Sequence, residues 1–511
     1  MSMGKVYLVG AGPSDVGLLT VRAQQLLQQA DVVVYDRLAG ESILLLIPEG
    51  TETIDVGKRA GHHTMQQEQI NQVLLEQAQK GKTVVRLKGG DPFLFGRGGE
   101  ELELLVQHGI PFEVVPGVTS AISVPAYNGI PVTHRDCTSS LHIITGHARK
   151  GKPLTIDFES LVRLHGTLVF LMGVSHLADI CRGLLNAGME PATPAAVLQQ
   201  GTTAEQRRVT ATVATLEREA KRQQIGTPAI IVVGEVCSYA EQFAWSEQRP
   251  LFGARIVVTR PRTRSSDLSQ KLRTLGAEVW EIPTIQTQPI SPNAELDGAL
   301  DRLHTYDTLV FTSPAGVETF FRALQARGMD IRRFGNGTIA SIGSGTTREL
   351  KKYGVIADLQ PEIYDAQHLG QLLGERRPDG SRILIPRARK GSPALLEEIR
   401  KRKNVEITDL PIYDTQYRAP KNIDLVAALR QEKIRMVVFT SASTVRGFAA
   451  ALPGQDLHAV TAICIGKQTQ AAAQKLGMQT EVAEAATLDA LVEAAVQYWK
   501  KNRSQEGRTW N

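Results

Sequence analysis

Residues 83–101, TVVRLKGGDPFLFGRGGEE, decide the fold. A β-branched run ends in a loop holding five glycines between positions 89 and 99, and the acidic pair Glu100–Glu101 then opens a helical stretch. Only glycine takes positive φ at little steric cost, and only glycine lets a backbone come close to a ligand. Glycines concentrated just past a strand end therefore predict a binding loop on an α/β sheet.

The neighbouring sequence repeats that alternation. VYLVG (6–10), DVVVYD (31–36), TVVRLK (83–88) and FEVVPG (112–117) are separated by helical patterns near 18–29, 66–80 and 99–108. Strands alternating with helices argue for a parallel α/β sheet. After the Pro- and Gly-punctuated stretch 125–131, HIITGH (142–147), TLVFLMG (167–173), AAVLQQGT (195–202) and PAIIVVGEV (228–236) predict a second α/β lobe. Residues 244–252 lack periodicity and read as a linker.

Beyond the linker lies an internal repeat. IVVTRPRTRSS from 256 returns as ILIPRARKGSP from 383, LVFTSPAGVETFF (309–321) as VVFTSASTVRGFA (437–449), and IASIGSGTTRELKKYG (339–354) as TAICIGKQTQAAAQKLG (461–477). Three matches in the same order make the second half two copies of one α/β unit, too few for a solenoid.

Composition narrows the function classes. The chain has 511 residues, too many for a single core. Its 42% hydrophobic and 22% charged residues are ordinary for a globular protein. A net charge of +5 is mild, without the Lys/Arg block that marks a nucleic-acid arm; it would also suit an acidic small molecule, so charge alone decides nothing. Cys137, Cys181, Cys237 and Cys464 are far apart, which predicts neither a zinc site nor a disulfide framework. No apolar run approaches the ~18 residues of a membrane span, and KVYLVGAG follows the first residues without a leader pattern, so the cytoplasm is the expected compartment. GAGPSD (10–15) invites a dinucleotide reading, with Asp36 at roughly the distance of a ribose-binding acid. Asp15 stands where the third glycine belongs, however, and Pro13 where the turn should open a helix, which disfavours a nicotinamide enzyme.

VGAGPSDVGLLT (9–20), YDRL (35–38), VGKRAG (56–61), KGGDPFLFGRGGEE (88–101) and VVPGVTSAISVPAYNGIPVTHR (114–135) together resemble the tetrapyrrole methyltransferase family over residues 4–240, and within it the uroporphyrinogen-III C-methyltransferases. The resemblance implies a two-lobed fold with S-adenosylmethionine in the cleft between the lobes and a homodimer formed through this half. It puts Pro13, Gly89, Gly90, Asp91, Leu94, Thr119, Ser120, Met172 and Gly201 around the cofactor, with Asp36 as proton acceptor and Lys58 as proton donor. Asp91 is expected to bind an ammonium or a ribose hydroxyl. Arg37, Arg59, Arg97 and Arg135 become candidate clamps for substrate carboxylates, since guanidinium binds them bidentately. Ser14 and Val16 stand where the family usually has Gly and Pro. His62, His63 and His134 lie in polar stretches, and no metal is expected.

RP (260–261), the FTS of both copies, IPRARKG (385–391), LPIYDT (410–415) and IGKQT (465–469) resemble uroporphyrinogen-III synthase. That resemblance implies two lobes joined by a two-strand ladder and hydroxymethylbilane as substrate. Tyr413 would assist hydroxyl departure, and Thr440, Ser441 and Thr469 would bind substrate carboxylates near helix N-termini. Gln468 occupies a position where relatives often carry Thr or Ser. The expected α/β architecture is thus a methyltransferase over 1–243 (lobes about 1–118 and 119–243), a linker at 244–252 and a synthase over 253–511. Within the synthase, lobe one takes about 253–287 plus 414–511 and lobe two about 290–412. The substrates are small tetrapyrroles, with neither nucleic acid nor membrane as partner. Uroporphyrinogen III made by the second half would be methylated to precorrin-2 by the first; the competing expectation is a non-catalytic tetrapyrrole-sensing module in the second half.

Overall fold

The computed structural model describes residues 3–57, 65–147, 155–259, 262–401 and 404–503, with backbone only for 262–266. Within them, twenty strands build four five-stranded sheets. The first sheet takes β1 (Lys5–Gly10), β2 (Val32–Tyr35), β3 (Glu52–Asp55), β4 (Thr83–Lys88) and β5 (Phe112–Val115) in the order β3-β2-β4-β1-β5. All its pairings are parallel. A parallel sheet is covered on both faces, which explains the unbroken burial of Val84 to Lys88. It also puts the loops after β1, β2, β4 and β5 along one carboxyl edge, where open α/β sheets bind ligands.

The second sheet takes β6 (Leu141–Thr145), β7 (Thr167–Leu171), β8 (Pro194–Gln199), β9 (Arg207–Thr212) and β10 (Ala229–Val233) in the order β6-β7-β10-β8-β9. Only β6 and β7 run parallel. β3 and β9 were not anticipated from the sequence: ETID and RRVTAT are short, polar sheet-edge strands with little of the apolar signal that marks a central strand.

In the C-terminal half, β11 (Arg255–Val258), β12 (Glu278–Glu281), β13 (Ile285–Pro289), β14 (Thr308–Phe311), β15 (Thr338–Ser341), β16 (Arg382–Ala388), β17 (Glu406–Tyr417), β18 (Met436–Phe439), β19 (Thr461–Cys464) and β20 (Gln479–Val482) form two sheets. Their orders are β12-β11-β18-β19-β20 and β13-β17-β16-β14-β15. Every pairing is parallel except β13 with β17, matched from Ile285↔Tyr417 to Pro289↔Tyr413. The chain crosses from one sheet to the other along this ladder. Phe311, Phe320, Phe321 and Leu324 fill one core, and Trp280, Phe439 and Phe448 fill the other.

The segment between the halves is packed, not a free tether. Trp245 Nε1 donates to the Ala126 carbonyl at 2.9 Å, Glu247 pairs with Arg208 at 2.8 Å, and Leu251 and Phe252 are buried. Among the described residues no helix is long and apolar enough to cross a membrane.

Candidate active sites

The glycine loop meets its neighbours at the carboxyl edge of the first sheet. Gly12 and Gly90 form an antiparallel bridge, with Gly90 N donating to Gly12 O at 2.8 Å and Gly12 N to Gly90 O at 3.2 Å. A Cβ on Gly117 would lie 2.2 Å from Gly90 O and 2.7 Å from the Gly10 Cα, so the turns after β1, β4 and β5 touch through backbone alone. Gly90 holds φ at +67°. A Cβ there would project into a gap in front of the helix Ser120–Tyr127, whose Ser120 nitrogen is the nearest atom at 3.9 Å. The glycines thus leave a cradle of backbone donors and acceptors that a side chain would fill, which fits an amino-acid and nucleoside ligand.

Asp91 shapes this cradle. Its Oδ1 accepts from the Phe93 and Leu94 backbone N–H groups at 2.8 and 3.1 Å, and its Oδ2 accepts from Gly117 N at 3.0 Å. The carboxylate therefore ties the β4 loop to the β5 turn, a role the sequence reading did not foresee. Gly89 lies against Leu38. Leu94 packs on a core with Ala121, Val124, Leu171 and Leu198, so the loop reaches the second lobe. Thr119 caps the helix it precedes, accepting from Ala121 N at 3.3 Å. Met172 follows β7 with φ +56° and is half exposed. A Cβ on Gly201 would meet the Val124 side chain, and the Thr202 hydroxyl donates to the Pro13 carbonyl, so the two lobes join at one edge of the cleft. The structure therefore brings the turn of Pro13 to that of Gly201, and the Gly89–Leu94 loop to the helix Ser120–Tyr127 and to Leu171, where the two lobes meet. On these loops and helix starts Leu38, Phe93, Phe95, Ile122 and Met172 are apolar side chains left exposed.

Asp36 stands at the end of β2, capping the turn at Leu38 N (3.1 Å), and its Oδ2 accepts from Arg86 Nη2 at 3.2 Å. Arg86 also donates to Glu101 Oε1 at 3.2 Å, where Lys88 Nζ arrives at 2.7 Å and Gln67 Nε2 at 3.2 Å. Glu101 is fully buried, and its Oε2 has no hydrogen-bond partner among the described residues. Burial, reinforced by the neighbouring Arg86 charge, pulls the Lys88 ammonium below the usual lysine range. The candidate base is thus anchored on a buried Arg–Glu–Lys group that the sequence reading missed. The available signal was a pair of cations at alternate positions, 86 and 88, among the apolar Val84, Val85 and Leu87. Lys58, Arg59, His62 and His63 lie outside the described residues. Arg37 reaches Asp55 at 3.4 Å, Arg97 pairs with Glu100 at 2.5 Å, and Arg135 is exposed.

In the C-terminal half the expected residues fall in two groups. Tyr413, on β17, is buried, and its hydroxyl lies 2.8 Å from Ser313 Oγ. Ser313 caps the helix Pro314–Ala326 through Gly316 N at 3.0 Å. Thr440 and Ser441 follow β18, and Ser441 caps the helix Ala442–Ala450 through Thr444 N at 3.3 Å. Thr469 lies in the first turn of the helix Lys467–Gln474 and is 4% exposed, whereas Lys467 and Gln468 are the open positions of that turn. Each FTS motif thus ends a parallel strand and starts a helix, a place suited to anions.

The family described as Tetrapyrrole (Corrin/Porphyrin) Methylases matches residues 5–217, and the one described as Uroporphyrinogen-III synthase HemD matches residues 266–493. The chain is 48% identical to the porphyrin biosynthesis protein HemD of Ruminiclostridium josui over 493 residues, 96% of this chain and 98% of that one. It is 42% identical to the uroporphyrinogen-III C-methyltransferase of Bacillus subtilis (strain 168), covering 71% of this chain and 74% of the relative. It is also 53% identical to an S-adenosyl-L-methionine-dependent uroporphyrinogen III methyltransferase of Methanosarcina barkeri (strain Fusaro / DSM 804), over 46% of this chain and 92% of that one.

Proposed function

This chain belongs to the porphyrin-biosynthesis family that joins a tetrapyrrole methylase to a uroporphyrinogen-III synthase, and we propose that its halves act in succession. The C-terminal half closes hydroxymethylbilane to uroporphyrinogen III. The N-terminal half methylates that product at two carbons, giving precorrin-2 for sirohaem or cobalamin. The observation that carries the methylation reading is the backbone cradle where Gly10, Gly90 and Gly117 meet in front of Ser120.

S-adenosylmethionine would supply an already activated methyl group there. Pro13, Gly89, Gly90, Asp91, Leu94, Thr119, Ser120, Met172 and Gly201 would hold it, and the protein's work is mainly orientation. Asp36, fixed by Arg86, accepts the proton that the substrate loses as the new carbon–carbon bond forms, and Lys58 serves as donor. The exposed apolar side chains Leu38, Phe93, Phe95, Ile122 and Met172 suit the flat face of a tetrapyrrole. In the C-terminal half, the capped helix starts at Ser441 and Ser313 receive substrate carboxylates, with Thr440 next to Ser441 and Thr469, buried in the first turn of Lys467–Gln474, shaping a third helix start, and Tyr413 assists loss of the hydroxyl. The protein works in the cytoplasm as a homodimer formed through the N-terminal half, which sedimentation would test.

One assay separates the activities. Hydroxymethylbilane is supplied with and without S-adenosylmethionine, and porphyrinogen isomers and methylated products are resolved. Isomer III without the cofactor and a dimethylated product with it are expected. Isomer I alone would refute the synthase assignment and leave the sensing alternative; no dimethylated product would refute the methylation.

A further inference from the structure

We propose that Glu278, a residue of the synthase half, is a positioning residue for the methyltransferase cleft; this rests on the cleft reading above. Glu278 opens β12, and its side chain is 12% exposed. Within its own half it accepts from Arg255 Nη2 at 3.0 Å and Trp280 Nε1 at 2.8 Å. Its other two partners belong to the methyltransferase half: Ala204 N donates to Oε2 at 2.9 Å, and Ser42 Oγ to Oε1 at 3.3 Å.

These two partners come from opposite lobes of the cleft. Ala204 lies in the turn that carries Gly201 and the Thr202 hydroxyl bonded to Pro13. Ser42 lies in the short helix Glu41–Leu44, which continues the turn capped by Asp36. Arg255 strengthens the grip by pairing with Glu205 at 3.0 Å. Leu45, next along from that helix, is buried in the synthase core beside Trp280, Ile282 and Phe439. A cavity of about 390 Å³, lined by Ser14, Asp15, Tyr127, Arg249 and Arg273 among others, lies along the same seam. Packing alone therefore leaves the two turns room to shift, and the buried carboxylate sets their separation. A contact that holds both lobes in their ligand-bound spacing raises affinity for whatever fills the cleft.

The test uses the full-length protein. S-adenosylhomocysteine is titrated calorimetrically into the wild type, Glu278→Gln and Ser42→Ala, and methylation of uroporphyrinogen III and cyclisation of hydroxymethylbilane are followed in each. Loss of one charge-assisted hydrogen bond predicts about tenfold weaker S-adenosylhomocysteine binding and a matching rise in the KM for S-adenosylmethionine in Glu278→Gln. A smaller rise is expected in Ser42→Ala, with kcat at saturating cofactor and the cyclisation rate unchanged in both. Should Glu278→Gln fail to fold, Ser42→Ala, which leaves every synthase residue intact, decides. Wild-type binding matched by both variants overturns the positioning role alone, as does a fall in kcat and cyclisation together without a change in KM. No binding by the wild type overturns the cleft reading and the proposal with it.

Discussion

At the residue scale, the most exacting feature is Glu101, a fully buried carboxylate shared by Arg86 and Lys88. Removing one partner of a buried ionic group strands the others, at about 3–5 kcal/mol. Glu101→Gln is therefore expected to lower the unfolding free energy of the N-terminal half by that order and to slow methylation, since Arg86 then loses the anchor that aims it at Asp36. Denaturant unfolding alongside the methylation assay checks both. The thiols behave oppositely, as inert fillers. Burial raises the Cys181 thiol to about 11 and the Cys464 thiol to about 12, and Cys237 is raised further. Alkylation at pH 8 should therefore modify the native protein at Cys137 alone and all four cysteines after denaturation, read by mass spectrometry. The glycines were legible because backbone approach leaves glycine no substitute. The Arg86–Glu101–Lys88 group was not: nothing in a local sequence says that a strand cation meets a helix carboxylate across a core.

At the element scale, Ser14 occupies a turn position with φ +88°, where the family usually has Gly. The left-handed region costs a residue with a Cβ about 1–2 kcal/mol, partly offset by the chain entropy that glycine gives up. Ser14→Gly should stabilise the N-terminal half by about 0.5–1 kcal/mol, measured by its urea midpoint. The internal repeat shows where element-level reading succeeds and where the fold rearranges it. Both copies were visible as sequence, and each sheet draws strands from both. β11 of the first copy pairs with β18 of the second, while β16 of the second pairs with β14 of the first. The exchange runs through the β13–β17 ladder, whose register depends on long-range pairing and not on local pattern. Tyr413 sits on that ladder. A hydroxyl that assists departure of the leaving group is worth ~10²-fold or more, so Tyr413→Phe should slow cyclisation by that order with little loss of stability. Product analysis should then show slower closure and more isomer I from the uncatalysed route.

At the scale of the whole molecule, the connection between the halves is a built interface, which a linker reading of residues 244–252 did not anticipate. Non-periodic sequence that mixes charge with Pro looks like a tether until its Trp245, Leu251 and Phe252 are found in contact with both sides. The interface has a part-exposed ion pair, a buried Arg255–Glu278 cluster and one apolar anchor. In the ion pair, burial pushes the Glu41 carboxyl up, but the Lys433 hydrogen bond and charge outweigh it and hold the group below its ordinary value of about 4.5. A carboxyl lowered on folding stabilises at pH above its unfolded value, and that stability is lost as pH falls through the folded one. The pair is part-exposed, at 28% and 41%, so its share is at most about 1 kcal/mol. The apolar anchor is Leu45, 3% exposed and enclosed by Trp280, Ile282 and Phe439. Truncating a buried leucine costs about 2–5 kcal/mol. Because this leucine joins one half to the other, the loss falls on their coupling. Leu45→Ala should therefore split the calorimetric unfolding of the wild type into two separate transitions at neutral pH. In the wild type, loss of the Glu41–Lys433 pair as the pH drops below 4.5 should weaken the coupling by at most about 1 kcal/mol, less than Leu45→Ala does, and leave a single transition. A single unchanged transition in Leu45→Ala would mean that the halves do not stabilise one another through this contact.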